Sequence, residues 1–155
     1  MKFDRKLLVA GVAAACSWIG SENSMAANDH TVTIQAMVTG KCKFNAASST
    51  IVLSIDPAAT TTITALGNIL YRCTRGTTPA FDHVSTSTGS SSGGRLSAGA
   101  EGFAYGFSGS GESAGGGMGS GQDRTHVVTI TVDQAVAANV TPATYSDTIV
   151  ISVNP

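Results

Sequence analysis

The residues of this chain that could do chemistry begin with a short motif in a glycine-rich stretch. Gly111–Gly115 reads G-x-S-x-G, the pattern that surrounds the nucleophilic serine of many hydrolases, here Ser113. His126, with Asp133 or Asp147, would complete a catalytic triad. That chemistry needs a strand–turn–helix geometry, and the run of glycines ending the motif disfavours a helix. We therefore predict no catalytic residue and keep a small secreted serine hydrolase as a remote alternative.

The sequence gives equally weak signals for other kinds of chemical site. His30, His83 and His126 are isolated from one another, so we predict no metal site and no cofactor. No Gly-Lys-Ser/Thr tripeptide is present, which excludes a Walker-type phosphate loop. The chain has 9 Lys and Arg against 10 Asp and Glu, and the basic residues are scattered. We therefore expect no nucleic-acid partner.

The first 26 residues have the organisation of a secretory signal. A basic start precedes the short apolar run Leu7–Ile19, and small residues lead up to Ala27, near which we expect the mature chain to begin. The run is shorter than the about 20 residues that a bilayer span needs, so we expect no membrane insertion after the signal is removed. Cys16 would be removed with it, and a lipidated Cys16 is the alternative.

Two cysteines, Cys42 and Cys73, remain in the expected mature chain. An even number of cysteines in an exported protein favours a disulfide. A metal-binding or redox pair is the alternative.

The elements that must position these residues are predicted to be short strands. Period-two alternation or β-rich composition indicates strands at Thr31–Val38, Ile51–Ile55, Ile69–Cys73, Phe81–Ser85, Phe103–Phe107, His126–Val132 and Thr148–Val153. Thr60–Ala65 is expected to be extended and to be ended by Gly67, and residues 108–121 are expected to form an exposed, mobile loop. No stretch shows a sustained helical period. The predicted fold class is all-β, an immunoglobulin-like β-sandwich.

The two ends of the mature chain raise the question of partners. Ile149, Ile151 and Val153 share one face of the last strand, which must be covered, and its outer edge needs protection that a partner chain could give. At the other end, the same alternation places four apolar residues on one face of a segment: Val32, Ile34, Ala36 and Val38. That segment is either the first strand of its own sandwich or a donor strand for another chain.

Several stretches of the mature sequence form a recognisable series: Gly40-Lys41-Cys42, Cys73-Thr74-Arg75-Gly76, Arg95-Leu96 before the Tyr105 strand, Val127–Val132, and Pro142–Thr148 before a terminal β-run. Taken in this order, they resemble one family, the spore coat protein U domain, which the pilin subunits of archaic chaperone–usher pili share. The most specific of them is the Tyr-x-Asp-Thr ending, formed by Tyr145, Asp147 and Thr148.

The resemblance implies an incomplete immunoglobulin-like domain at residues 41–155, preceded by a donor-strand segment at 27–40. It implies a disulfide between Cys42 and Cys73, donor side chains at the four N-terminal apolar residues, and an acceptor groove lined by Ile149, Ile151 and Val153. The implied partners are other copies or homologous subunits, a periplasmic chaperone and an outer-membrane usher. The implied location is the cell surface, a fimbrium or a spore coat, reached through the periplasm. A self-contained coat or adhesive β-sandwich is the alternative.

Overall fold

A computed structural model describes residues 30–155 of the chain. The predicted signal 1–26 and the first residues of the predicted donor segment, 27–29, lie outside the described residues. The chain divides into two units between Ala36 and Met37. Residues 30–36 carry no strand or helix, and residues 37 and 38 carry none either, so the predicted strand Thr31–Val38 is not formed in the single chain.

Residues 37–155 contain seven strands and one short helix. The strands are β1 (Cys42–Phe44), β2 (Ile63–Cys73), β3 (Ala80–Ser85), β4 (Gly93–Ala98), β5 (Glu101–Ser110), β6 (Arg124–Val132) and β7 (Ile149–Asn154). The helix α1 (Gln134–Ala137) is capped by the Asp133 side chain, which accepts from the Ala135 N–H. Every strand pair is antiparallel, so the all-β prediction is confirmed.

The strands form two sheets that share one apolar core. The larger sheet has the order β1-β2-β6-β5-β4, and the smaller sheet pairs β3 with β7. Aromatic and branched residues from the inner face of β5 and β6 make the core, and Ile149 and Ile151 of β7 pack against it. The alternation read from the sequence is confirmed here: β6 buries every second residue from His126 to Val132, and β7 turns Ile149, Ile151 and Val153 inward.

Two predictions around Gly67 were wrong. Gly67 does not end a strand, because β2 continues through it and pairs with β6 from Ile63 to Tyr71. The reason is packing: a Cβ on Gly67 would overlap the Ile51 side chain, which lies over that position. Ile51–Ile55 is not a strand, although its alternation is correct, since Ile51 is partly buried and packs on the core while Val52 is 82% exposed.

The glycine-rich loop after β5 is more firmly attached than its composition suggested. The Gly115 N–H donates to the Thr77 carbonyl oxygen at 2.8 Å, and the Gly115 carbonyl accepts from the Gly76 N–H at 2.9 Å. The Tyr71 hydroxyl donates to the Ser113 carbonyl oxygen at 3.1 Å. Gly115 is buried, and a Cβ there would overlap the Cys73 carbonyl oxygen. Low apolar content did not predict this docking, because it depends on backbone hydrogen bonds and close approach rather than on apolar burial.

The expected disulfide is present. Cys42 and Cys73 are bonded, and they stand opposite each other on β1 and β2 with their Cα atoms 4.1 Å apart. The bond fixes the short edge strand β1 to the sheet.

Candidate functional site

The edge of β7 is the first part of the candidate site. β7 pairs with β3 along one edge, from Ile149 to Asn154, and within residues 30–155 no strand pairs with its other edge. The three predicted acceptor residues, Ile149, Ile151 and Val153, face inward but are only partly buried. An open edge beside a partly covered apolar face can receive an additional strand.

A second extended segment leaves its backbone open in the same layer. The side chains of Ile51, Leu53 and Ile55 pack against the core cluster on the larger sheet, as those of Ile149 and Ile151 do. Among the described residues, the backbone of 51–55 makes no hydrogen bond to another backbone group. Both segments therefore present alternating apolar side chains to the core while keeping backbone donors and acceptors free for a further strand.

The predicted donor residues are exposed. Val32 is 71% exposed, Ile34 88% and Val38 81%, and Ala36 is exposed as well. Gly40 lies at the start of the compact unit, where a Cβ would be 3.7 Å from the Cβ of Pro155. Gly40 therefore lies beside the carboxyl end of β7.

Asp147, from the Tyr-x-Asp-Thr motif, joins the beginning of β7 to both sheets. Five groups donate hydrogen bonds to its two carboxylate oxygens: the hydroxyls of Ser85, Ser87 and Tyr105 at 2.7–2.8 Å, the Thr148 N–H at 2.8 Å and the Thr86 hydroxyl at 3.3 Å. Ser85 ends β3 and Tyr105 lies in the middle of β5, so one carboxylate connects the two sheets. Gly94 of β4 makes room for this cluster, because a Cβ there would lie 2.5 Å from Asp147 Oδ2.

These hydrogen bonds determine the charge state of Asp147. Burial alone would raise the pKa of its carboxyl, but the hydrogen bonds from Ser87, Tyr105, Ser85 and the Thr148 N–H outweigh burial and lower that pKa from 3.8 to about 2. Burial, together with the bond to Asp147 and its charge, raises the pKa of the Tyr105 hydroxyl. The cluster therefore keeps one anion and a ring of neutral donors at ordinary pH.

Tyr145, the other large residue of the motif, fixes the chain before β7. Its hydroxyl donates to the Thr141 carbonyl oxygen at 3.0 Å, and its ring meets Phe103 edge-on with centroids 4.9 Å apart. Ser146 then forms an isolated bridge with Ser97 of β4. Tyr145 and Asp147 thus hold the entry to β7 in place, whereas Thr148 is exposed and contributes its backbone.

Two histidines that are isolated in the sequence meet between the sheets. The Nε2 atoms of His83 on β3 and His126 on β6 are 2.8 Å apart. The Phe81 ring stacks on His126 with centroids 3.9 Å apart and planes 12° from parallel. Burial lowers the pKa of both imidazoles, and the charge of His83 lowers that of His126 further. Strand alternation places His126 on the buried face with Val128 and His83 on the same face as Phe81, but only the pairing of the two sheets brings the rings together.

The candidate serine triad is not assembled. Gly111–Gly115 lies in a loop with no helix after it, and the hydrogen bonds of Ser113 run through its backbone to the Tyr71 hydroxyl. His126 bonds to His83, and Asp133 caps α1. Within residues 30–155, no hydrogen bond joins Ser113 to a histidine or a carboxylate.

No group of three or more His, Cys, Asp or Glu side chains in residues 30–155 is placed to hold a metal ion. In the same range no helix is long and apolar enough to cross a membrane. The chain matches no protein-family model, no curated protein and no solved structure. The family resemblance therefore rests on the motifs of the sequence.

Proposed function

We propose that this protein is a non-enzymatic structural subunit that is exported and assembles into a surface fibre or coat by donor-strand complementation. The N-terminal segment of one copy would lie along β7 of the next and complete an immunoglobulin-like sandwich. The single observation that carries the proposal is the open edge of β7 beside the partly exposed Ile149, Ile151 and Val153. The exposed Val32, Ile34 and Val38 supply a matching apolar face.

The energetics of such an exchange set apolar burial and backbone hydrogen bonding against the ordering of the segment. Burying four small-to-medium apolar side chains contributes on the order of 4–8 kcal/mol. Each new backbone hydrogen bond adds about 0.5–1.5 kcal/mol net. Ordering the segment costs about 1–2 kcal/mol of backbone entropy for each residue fixed, which offsets much of this gain. The assembled state thus depends on apolar fit, and a single charge on the apolar face of the segment is sufficient to prevent it.

The partners and the location follow from the family resemblance. An open apolar edge exposes a secreted subunit to unwanted association, and a periplasmic chaperone would cover it until an outer-membrane usher exchanges it for a neighbouring subunit. The assembled protein would lie at the cell surface, in a fimbrium or in a spore coat.

A self-contained coat or adhesive domain is the second candidate, and the core favours it. Val128 and Val132 are fully buried in the single chain, and the disulfide closes β1 onto β2. This candidate needs no strand from another copy.

The test uses one charge on either face of the N-terminal segment. Ile34→Asp places a carboxylate on the proposed buried face, and Thr33→Asp places the same charge on the opposite face as a matched control. On a non-reducing SDS gel without boiling, wild type and Thr33→Asp should form ladders that collapse to one band on boiling, and Ile34→Asp should run as a monomer. A full ladder from Ile34→Asp, or only monomer from wild type, would contradict donor-strand assembly.

Deleting residues 28–38 separates the two candidates further. Donor-strand assembly predicts a soluble folded domain that cannot form ladders. A self-contained domain, whose core is complete without this exposed segment, predicts that the deletion changes neither the unfolding midpoint in urea nor the gel pattern.

A further inference from the structure

The two buried imidazoles join the sheets through one hydrogen bond. His126 is fully buried on the inner face of β6, and His83 is partly buried on β3, which belongs to the other sheet. We propose that the His83–His126 pair is an acid-sensitive bridge, which holds the β3–β7 sheet on the larger sheet at neutral pH and loosens it when the pair is protonated. The proposal does not depend on how the protein assembles.

The surroundings assign the tautomers of the neutral pair. At 2.8 Å one Nε2 must donate and the other must accept. The Nδ1 of His126 is buried and has no hydrogen-bond partner among the described residues. An unpaired buried donor is more costly than an unpaired acceptor on the same ring, so His126 carries its proton on Nε2 and donates. His83 then accepts through Nε2 and carries its proton on Nδ1, where its partial exposure allows hydration.

Protonation of the His83–His126 pair is unfavourable in either arrangement of the protons. If His83 gains a proton while His126 keeps its own on Nε2, two N–H groups face each other at hydrogen-bond distance. If His126 instead moves its proton to Nδ1, a buried donor is left without an acceptor. Gly109 of β5 leaves the space that the pair occupies, because a Cβ on that glycine would lie 2.5 Å from the Nε2 of His83 and 2.6 Å from that of His126. The strain is relieved when His83 moves outward with β3.

The charged groups around the pair are few. Asp82 on β3 and Glu112 in the loop after β5 favour the charged form of His83, and Glu112 favours that of His126. β7 places Ile151 opposite His83, and β5 contributes Gly109, so neither strand supplies a charge there. The Phe81 ring can stabilise a protonated His126 through its face. Burial outweighs the two carboxylates, because the pKa of both imidazoles remains below 6.5.

The direction of the pH effect follows from linkage. Groups whose pKa is lower in the folded state stabilise that state above their unfolded pKa, here about 6.5, and the contribution is lost as the pH falls through the folded values. The bridge is therefore intact at neutral pH and is lost in mild acid, before carboxylates are protonated. Since β7 pairs only with β3 among residues 30–155, the last strand moves with the bridge.

The same two nitrogens could also bind a divalent metal, and the structure favours the hydrogen bond. A metal on both Nε2 atoms would place a proton on each Nδ1, and a histidine ligand normally donates that proton to an acceptor. The Nδ1 of His126 has none among the described residues. Metal binding would also have to open the 2.8 Å contact between the nitrogens.

The first experiment observes the rings directly. Long-range ¹H–¹⁵N spectra of the monomeric fraction, with the disulfide formed, should show His126 as the Nε2–H tautomer and His83 as the Nδ1–H tautomer at ~pH 7.5, and the two should titrate together. His30 serves as an internal comparison. An Nδ1–H tautomer at His126, or independent titration of the two rings near their ordinary pKa of about 6.5, would overturn the proposal.

The second experiment measures stability in urea at ~pH 7.5 and ~pH 5.0. When the pH is lowered from ~7.5 to ~5.0, the unfolding equilibrium constant should increase by a factor about tenfold or more larger in wild type than in His83→Gln. The glutamine keeps a hydrogen-bonding side chain but does not titrate. His30→Gln, the matched control, should behave as wild type. The proposal would be overturned if the stability of His83→Gln depended on pH as strongly as that of wild type. It would also be overturned if one equivalent of Zn²⁺ raised the urea unfolding midpoint at ~pH 7.5, since a metal site would then be present. These outcomes do not depend on SDS-gel ladders, so the bridge and the assembly proposal can fail separately.

Discussion

Two polar links hold the β3–β7 sheet to the larger sheet, and they differ in how completely their polar atoms are paired. At Asp147, five donors surround one carboxylate. At His126, one hydrogen bond to His83 is made and a buried nitrogen is left without a partner. A fully paired buried group stabilises one arrangement, whereas a half-paired group is sensitive to any change in protonation. The Asp147 link is therefore structural, whereas the His83–His126 link responds to a change in protonation.

Each link depends on a glycine of the larger sheet. A Cβ on Gly94 would lie 2.5 Å from Asp147 Oδ2 and 2.6 Å from the Tyr105 ring. A Cβ on Gly109 would lie 2.5 Å from His83 Nε2 and 2.6 Å from His126 Nε2. Neither glycine has a positive φ, so alanine is acceptable to the backbone and the substitution reports on crowding alone.

The largest effect is expected from Asp147→Ala. This change removes the acceptor from the buried hydroxyls of Tyr105 and Ser85. The free energy of unfolding at neutral pH should fall by about 3–4 kcal/mol, measured by urea titration. Asp147→Asn is the matched control, because it keeps the shape and one acceptor oxygen and should lose roughly half as much. Equal losses would show that charge rather than acceptance matters.

The two glycines give the next contrast. Gly94→Ala should lower the free energy of unfolding by about 2–3 kcal/mol, because Asp147 and Tyr105 are held by other bonds and cannot give way. Gly109→Ala should lower it by about 1 kcal/mol, since the partly exposed His83 can swing outward. Urea titration of the two glycine variants measures both losses. A larger loss at Gly109 than at Gly94 would contradict the view that the histidine link is the looser one.

Removing one donor from Asp147 tests the pairing itself. Tyr105→Phe should lower the free energy of unfolding by about 1–2 kcal/mol at neutral pH. Because the pKa of Asp147 is about 2 when folded against 3.8 ordinarily, wild type loses stability as the pH falls from about 4 to about 2. With one hydrogen bond fewer, the folded pKa rises and this loss becomes smaller. If Tyr105→Phe lost as much unfolding free energy as wild type between about pH 4 and about pH 2, the Tyr105 hydroxyl would not contribute to the low pKa of Asp147.

The sequence predicted those parts of the fold that depend on alternation. The inward residues of β6 and β7 and the Cys42–Cys73 bond were found, because period-two burial and an even cysteine count are local signals. The continuation of β2 through Gly67 was missed, because it depends on Ile51 packing over that residue from a distant part of the chain.

The two polar links were missed for a similar reason. Asp147 was singled out by a family motif, but its partners Ser85 and Tyr105 lie 62 and 42 residues away, and no local spacing connects them. His83 and His126 are 43 residues apart and looked isolated. Each could have been placed on an inner face by alternation, yet only the pairing of the two sheets puts them at hydrogen-bond distance.

The smallest effect at neutral pH is expected from replacing both histidines, as His83→Leu with His126→Phe. Removing both partners of a buried hydrogen bond leaves no unpaired group, and the orphaned Nδ1 of His126 disappears as well. A second aromatic ring beside Phe81 keeps the stacking contact. The free energy of unfolding should therefore change by less than about 1 kcal/mol at ~pH 7.5, and the double variant should be more stable than wild type at ~pH 5. A half-paired polar group contributes less to folding than a fully paired one. A loss of stability as large as that of Asp147→Ala would therefore contradict this description, and the histidine pair would be a structural link of the same kind as Asp147.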